Sequence, residues 1–161
     1  MNNKAKRRGA VGDIKQTLTH FGHKMCGDHC IMAYNGWDTG YDGSTVGFLL
    51  HDLYSEFTDL YGQKSKSATD NYESMNDFAD SSWVNSFYSD RSKELRKAAK
   101  WLGWNHAKSQ PGLSRTNPTA ERHILRVCRG IRKILSQAGL PNMFWPLAAR
   151  YWCCLLYTSD A

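Results

Sequence analysis

Three acidic side chains stand where a fold could use them together. Asp90 ends a short apolar and aromatic run, Val84 to Ser89. Glu121 falls in the first turn or two of a long basic helix that follows a polar loop. Asp28 lies within Met25 to Tyr34, a segment that reads as a strand, and side-chain alternation puts Cys26, Asp28 and Cys30 on one face of it. In a sheet covered by helices, ligands gather where strand ends open a crevice. Asp28 and Asp90 can reach such a crevice from the sheet, and Glu121 from the helix. Three carboxylates gathered there repel one another and resist ionising together. They suit hard, oxygen-seeking cations such as Mg²⁺. Two such ions about 3.5–4 Å apart can clamp the attacking and leaving oxygens of a phosphodiester exchange. Asp52 competes with Asp28 for this part; its alternative is to end a strand and hydrogen-bond within the turn.

A second set of residues has the chemistry of phosphate binding. Arg122, Arg126, Arg129 and Lys133 recur at spacings of 4, 3 and 4 along the long helix, making a basic ridge. Either it is a solvated face or it meets phosphates, each of which steepens the salt dependence of binding. Trp104, Asn105 and His106 could touch nucleic acid near the acidic site, and Trp104 could equally be buried. His20, His23, Cys26 and Cys30 invite comparison with a zinc site, but their spacing is irregular and two of them flank Asp28. Cys128 belongs to the apolar stripe of its helix and reads as core.

The elements that position these residues follow from pattern. Met25–Tyr34, Val46–Leu53 and Phe57–Tyr61 are expected as an antiparallel meander, because their connections are too short for crossovers. A helix over Lys66–Asp80, capped by Ser67 or Thr69, leads to a fourth strand at Val84–Ser89, parallel to the first. A second helix spans Lys93–Leu102 and ends at Gly103, before a fifth short strand at Trp104–Lys108. Asn117 and Pro118 open the long helix, with Ile124, Cys128, Ile131 and Leu135 as its apolar stripe. A last helix is expected over Met143–Tyr157. The sum is an α/β domain, a mixed five-stranded sheet with helices packed on it.

The chain has 161 residues, 41% of them hydrophobic, enough for one domain with a core. A net charge of +6 points to a polyanionic partner. Five cysteines and no secretory leader favour a reducing compartment. No apolar run approaches the roughly 20 residues that span a bilayer, so no membrane partner is expected. Lys4, Lys6, Arg7 and Arg8 read as a solvated tail or a nuclear-import patch. The expected division is a flexible segment over 1–22, the domain over 23–153 and a tail over 154–161. That tail looks like the in-frame translation of a sequencing adapter, so the natural sequence is expected to differ after about Cys153.

Several blocks carry a resemblance: Tyr-Ser-Asp-Arg-Ser-Lys-Glu-Leu (88 to 95), Gly-Trp-Asn-His (103 to 106), Thr-Asn-Pro-Thr-Ala-Glu-Arg (116 to 122) and Gln-Ala-Gly-Leu-Pro-Asn-Met-Phe-Trp (137 to 145). With Gly-Asp-His at 27 to 29 and Leu-Leu-His-Asp-Leu-Tyr-Ser-Glu-Phe at 49 to 57, the chain resembles the catalytic core of retroviral-type integrases, particularly those of copia-like retrotransposons. The likeness covers roughly residues 20 to 153. It implies a ribonuclease-H-like fold, with Asp28, Asp90 and Glu121 as catalytic ligands of Mg²⁺ or Mn²⁺. It also implies DNA integration by 3′-end processing and strand transfer, DNA as partner, homo-oligomers, and a nuclear site of action for part of a larger polyprotein. Arg91 stands where that family usually has Asn, and Pro118 where it usually has Gly. The alternatives are a catalytically degenerate fragment that only binds nucleic acid, and a ribonuclease-H-like nuclease unrelated to integration.

Overall fold

The computed structural model describes residues 17–32, 38–90, 92–106 and 118–159. Its first strand, β1 (Met25–Ile31), pairs antiparallel with β2 (Val46–Asp52), which pairs antiparallel with β3 (Thr58–Gln63). Every residue of β2 is buried, as befits a central strand covered on both faces. A helix, α1 (Ala68–Ala79), then carries the chain to β4 (Phe87–Tyr88), which pairs parallel with β1. The sheet order is β3-β2-β1-β4.

The sheet therefore has four strands among the described residues, not five. The segment expected as a fifth strand makes a single parallel bridge, Phe87 to His106, with the Phe87 N–H donating to the Asn105 carbonyl at 2.9 Å. Residues 107–117 lie outside the described residues, so the expected cap Asn117 and the 109–116 loop do too, as does Arg91.

Local chemistry sets the helix boundaries. Ser67 caps α1, its hydroxyl accepting from the Asp70 N–H at 3.0 Å. Ser92 does the same for α2 (Lys93–Trp101), accepting from Leu95 at 3.2 Å. Gly103 follows α2 at φ 71°, a conformation that costs a residue with a Cβ. The long helix α3 (Pro118–Ala138) ends before Gly139. A short 3₁₀ turn, Asn142–Phe144, precedes α4 (Trp145–Ser159), so Pro146 falls in the first turn where its missing N–H is tolerated.

Strand alternation divides the core in two. Cys26, Leu49 and Leu60 face α3 and α4, packing with Ala120, Val127, Ile131, Leu135, Trp145 and Ala149. Met25, Phe48, Leu50 and Phe87 face α1 and α2, packing with Met75, Phe78, Leu95, Ala98 and Trp104. Helices on both faces of a mixed sheet make an α/β architecture. Phe21 and Gly22 are docked on this fold: Phe21 lies 6.0 Å from Phe78 between ring centroids, and the Gly22 N–H donates to Asp52.

Candidate functional site

Strand parity decides between Asp28 and Asp52. Asp28 is registered with Leu49, on the face covered by α3. Asp52 is registered with Met25, on the opposite face. Asp52 is wholly buried, with one oxygen accepting from the Gly22 N–H at 2.9 Å and the other from the Ser55 N–H and hydroxyl, both at 2.8 Å. It organises the turn after β2. Asp28, in contrast, is half-buried and accepts a local hydrogen bond from the His29 N–H at 2.8 Å.

Asp28 titrates above the usual carboxylate range. Burial is the main cause; the negative charges of Asp90 and Glu121 push the same way, while the His29 N–H and Lys66 oppose it. The structure thus brings the three carboxylates into one electrostatic neighbourhood, from β1, from the loop after β4 and from the first turn of α3. It does not bring them into mutual contact: among the described residues, the group with ligand atoms all within 4.8 Å of one another is a different one.

Asp90 is exposed, and one of its oxygens accepts from the Ser92 N–H at 3.0 Å, which ties it to the α2 cap. The preceding Ser89 hydroxyl donates to the Asp90 carbonyl at 3.0 Å and meets His106 Nε2 at 2.8 Å. His106 also packs against Phe87, with ring centroids 5.7 Å apart. Its ring is held neutral by burial and by Arg96, with Asp90 opposing. His106, expected at a nucleic-acid surface, is therefore half-buried and engaged in fixing the strand end that carries Asp90. Glu121 is half-buried at the flank of the α3 core stripe. That stripe runs through Ala120, Val127, Ile131 and Leu135, with Ile124 and Cys128 only partly buried beside it. It is rotated from the one the sequence suggests, because the small Ala120 and Gly130 let α3 approach its neighbours.

Two neighbours of the acidic group escape a sequence reading. His29 is on the opposite strand face, stacked on Phe48 at 4.5 Å, with Nε2 2.7 Å from Asn71 Oδ1. Burial holds it neutral, and the charges of Lys66 and Asp90 both reach it. Lys66 is the cation that reaches both Asp28 and His29, from just before α1. Nothing in its local pattern marks it, since only the fold sets it beside β1.

Arg122, Arg126, Arg129 and Lys133 are exposed along α3, and with Leu125, Gly130 and Trp152 they line a groove of about 310 Å³. The Trp152 Nε1–H at this groove is buried without a hydrogen-bond partner among the described residues. The residues weighed as a zinc site are dispersed. His20 and His23 share Thr19 Oγ1 at the surface, Cys26 is buried towards α3, and the Cys30 thiol meets Cys128.

The group that does converge is His51, Glu56 and His123, each with a ligand atom within 4.8 Å of the others. His51 is buried, and desolvation with the nearby His123 lowers its pKa to about 4. Glu56 and His123 are far apart in the chain, with no motif between them, so this cluster is legible only once β2, the turn and α3 are in place. Set beside known proteins, the chain matches no protein-family model and no curated sequence.

Proposed function

We propose that this chain is an integrase-like polynucleotidyl transferase core with a ribonuclease-H-like fold, acting on DNA through divalent ions held by Asp28, Asp90 and Glu121. The reading is supported by the positions of Asp28 on β1, Asp90 after β4 and Glu121 in the first turn of α3, where burial first, and then both neighbouring charges, push the Asp28 carboxyl up. Carboxylates from three separate elements in one electrostatic neighbourhood repel one another unless a cation offsets them. An all-oxygen donor set of this kind fits Mg²⁺ or Mn²⁺. When bound, such ions supply charge to the attacking and leaving oxygens of an in-line phosphoryl displacement. The chain's own residues then have positioning parts. The Ser92 N–H holds Asp90, His106 and Ser89 fix the strand end beside it, and the α3 ridge steers the phosphate backbone.

The sheet order, with an antiparallel meander and β4 parallel to β1, supports the fold assignment, as does the incipient strand at His106. The degenerate reading, DNA binding without catalysis, has one observation in its favour: the three carboxylates are not within 4.8 Å of one another. A single experiment separates them. The integrase reading expects Mg²⁺- or Mn²⁺-dependent joining of 3′-processed DNA ends, abolished by Asp90→Asn. Salt-sensitive DNA binding with no metal-dependent joining would select the degenerate fragment, and cutting of RNA–DNA hybrids alone an unrelated nuclease.

A further inference from the structure

We propose that His51, Glu56 and His123 form a binding site for one divalent transition-metal ion of the zinc class, distinct from the three carboxylates. The inference stands on its own geometry and does not rest on the integrase reading.

The contacts around His51 accommodate the tautomer a metal ligand needs. The Thr58 hydroxyl has an acceptor in the Glu56 carbonyl at 3.3 Å. Donating there, Thr58 Oγ1 accepts from His51 Nδ1–H across their 2.8 Å contact. In that tautomer Nε2 keeps its lone pair. A histidine whose far nitrogen is held by an acceptor is the usual arrangement at a metal.

That lone pair faces another acceptor. His51 Nε2 lies 3.7 Å from Glu56 Oε2, beyond hydrogen-bond reach, and His123 stacks on His51 with centroids 3.9 Å apart. Two electron-rich atoms facing each other at this distance are reconciled by a cation between them. A Zn²⁺ ion takes nitrogen and oxygen ligands at about 2.0–2.2 Å, so two ligand atoms on one ion lie no more than ~4.4 Å apart. The 3.7 Å pair already satisfies this, and a modest opening of the ring stack brings in His123.

The backbone points the same way. Glu56 sits at φ 59°, a left-handed conformation that glycine adopts without strain and glutamate does not. The conformation aims an exposed carboxylate, 74% accessible, back at a buried histidine. Two imidazoles and one carboxylate favour Zn²⁺ over Mg²⁺, which prefers oxygen alone. The open side towards solvent leaves room for a further ligand. Such an ion would tie the β2–β3 turn to α3 two residues beyond Glu121, fixing the helix that carries it.

The test is Co²⁺ titration of the full chain by visible absorption, followed by Zn²⁺ competition and thermal unfolding with and without Zn²⁺. The expected result is a Co²⁺ ion with the ligand-field bands of a nitrogen–oxygen site, displaced by Zn²⁺, and a Tm raised by Zn²⁺. His123→Ala and Glu56→Gly should each weaken binding at least about tenfold. Glycine suits the φ at 56, so that variant stays folded and its loss of metal cannot be put down to unfolding. Asp90→Asn should keep the same nitrogen–oxygen bands and their displacement by Zn²⁺, which separates this site from the carboxylate group. Failure of the parent to bind, equal binding in Glu56→Gly and His123→Ala, or a spectrum dominated by thiolate-to-cobalt charge transfer would each overturn the proposal.

Discussion

Asp59 shows how burial and pairing compete at a single side chain. Arg150 approaches it at 3.3 Å and the Leu60 N–H donates to it at 2.8 Å, yet desolvation outweighs both and raises its pKa. A raised carboxyl pKa means the folded protein holds its proton more tightly than the unfolded chain. Stability is then greatest below the unfolded value and declines as pH rises through the folded one. Asp59→Asn should therefore be neutral or stabilising by up to ~1 kcal/mol at pH 7, the gain vanishing as pH falls towards 4. Urea unfolding at the two pH values checks this. The same logic applies to Asp28, where two further anions add to burial. At this scale the sequence was informative where alternation alone decides: it put Asp28 and Cys26 on one face, and it offered Asp52 a turn. It was silent on His51, Lys66 and His123, whose surroundings come from elements distant in the chain.

At the scale of elements, the packing of α3 on α4 hinges on Gly130. A Cβ there would come within 2.0 Å of the Trp152 ring. Alanine improves helix propensity by about 1 kcal/mol, but the overlap with a rigid indole outweighs it. Gly130→Ala should destabilise the fold by ~1–3 kcal/mol, with a shift in tryptophan fluorescence as Trp152 is displaced. The helices were legible to within a few residues because caps and periodicity mark them: Ser67 and Gly103 have the parts their types suggest. The α3 stripe was less so, since glycine and alanine carry no apolar signal although they make the closest contacts. Strand β4 shrank to Phe87–Tyr88, registered with Met25 and Cys26, and the Ser86 carbonyl just before it accepts from the Met25 N–H at 2.9 Å.

Across the whole molecule, the charge is directed. Arg122, Arg126, Arg129 and Lys133 line one groove along α3, and Glu121 opens the same helix. If the groove carries duplex DNA, replacing Arg129 and Lys133 with alanine should lower the slope of log K against log salt by about 2, whatever the DNA sequence. Fluorescence anisotropy at several salt concentrations measures it, and an unchanged slope would make the ridge a solvated face. The α/β layering was readable from the order of elements, three strands in a meander and then a helix crossover. The fifth strand was not, because one tryptophan and a histidine suggest extended chain without fixing what it pairs with.

Convergence of Asp28, Asp90 and Glu121 on shared ions is most directly tested by Mn²⁺ binding, followed by electron paramagnetic resonance. The full chain should carry His123→Ala so that the histidine cluster contributes nothing. Asp28→Asn, Asp90→Asn and Glu121→Gln, each added to it, should weaken Mn²⁺ binding at least about tenfold while the protein stays folded. Undiminished Mn²⁺ binding in any one of the three would contradict a shared site.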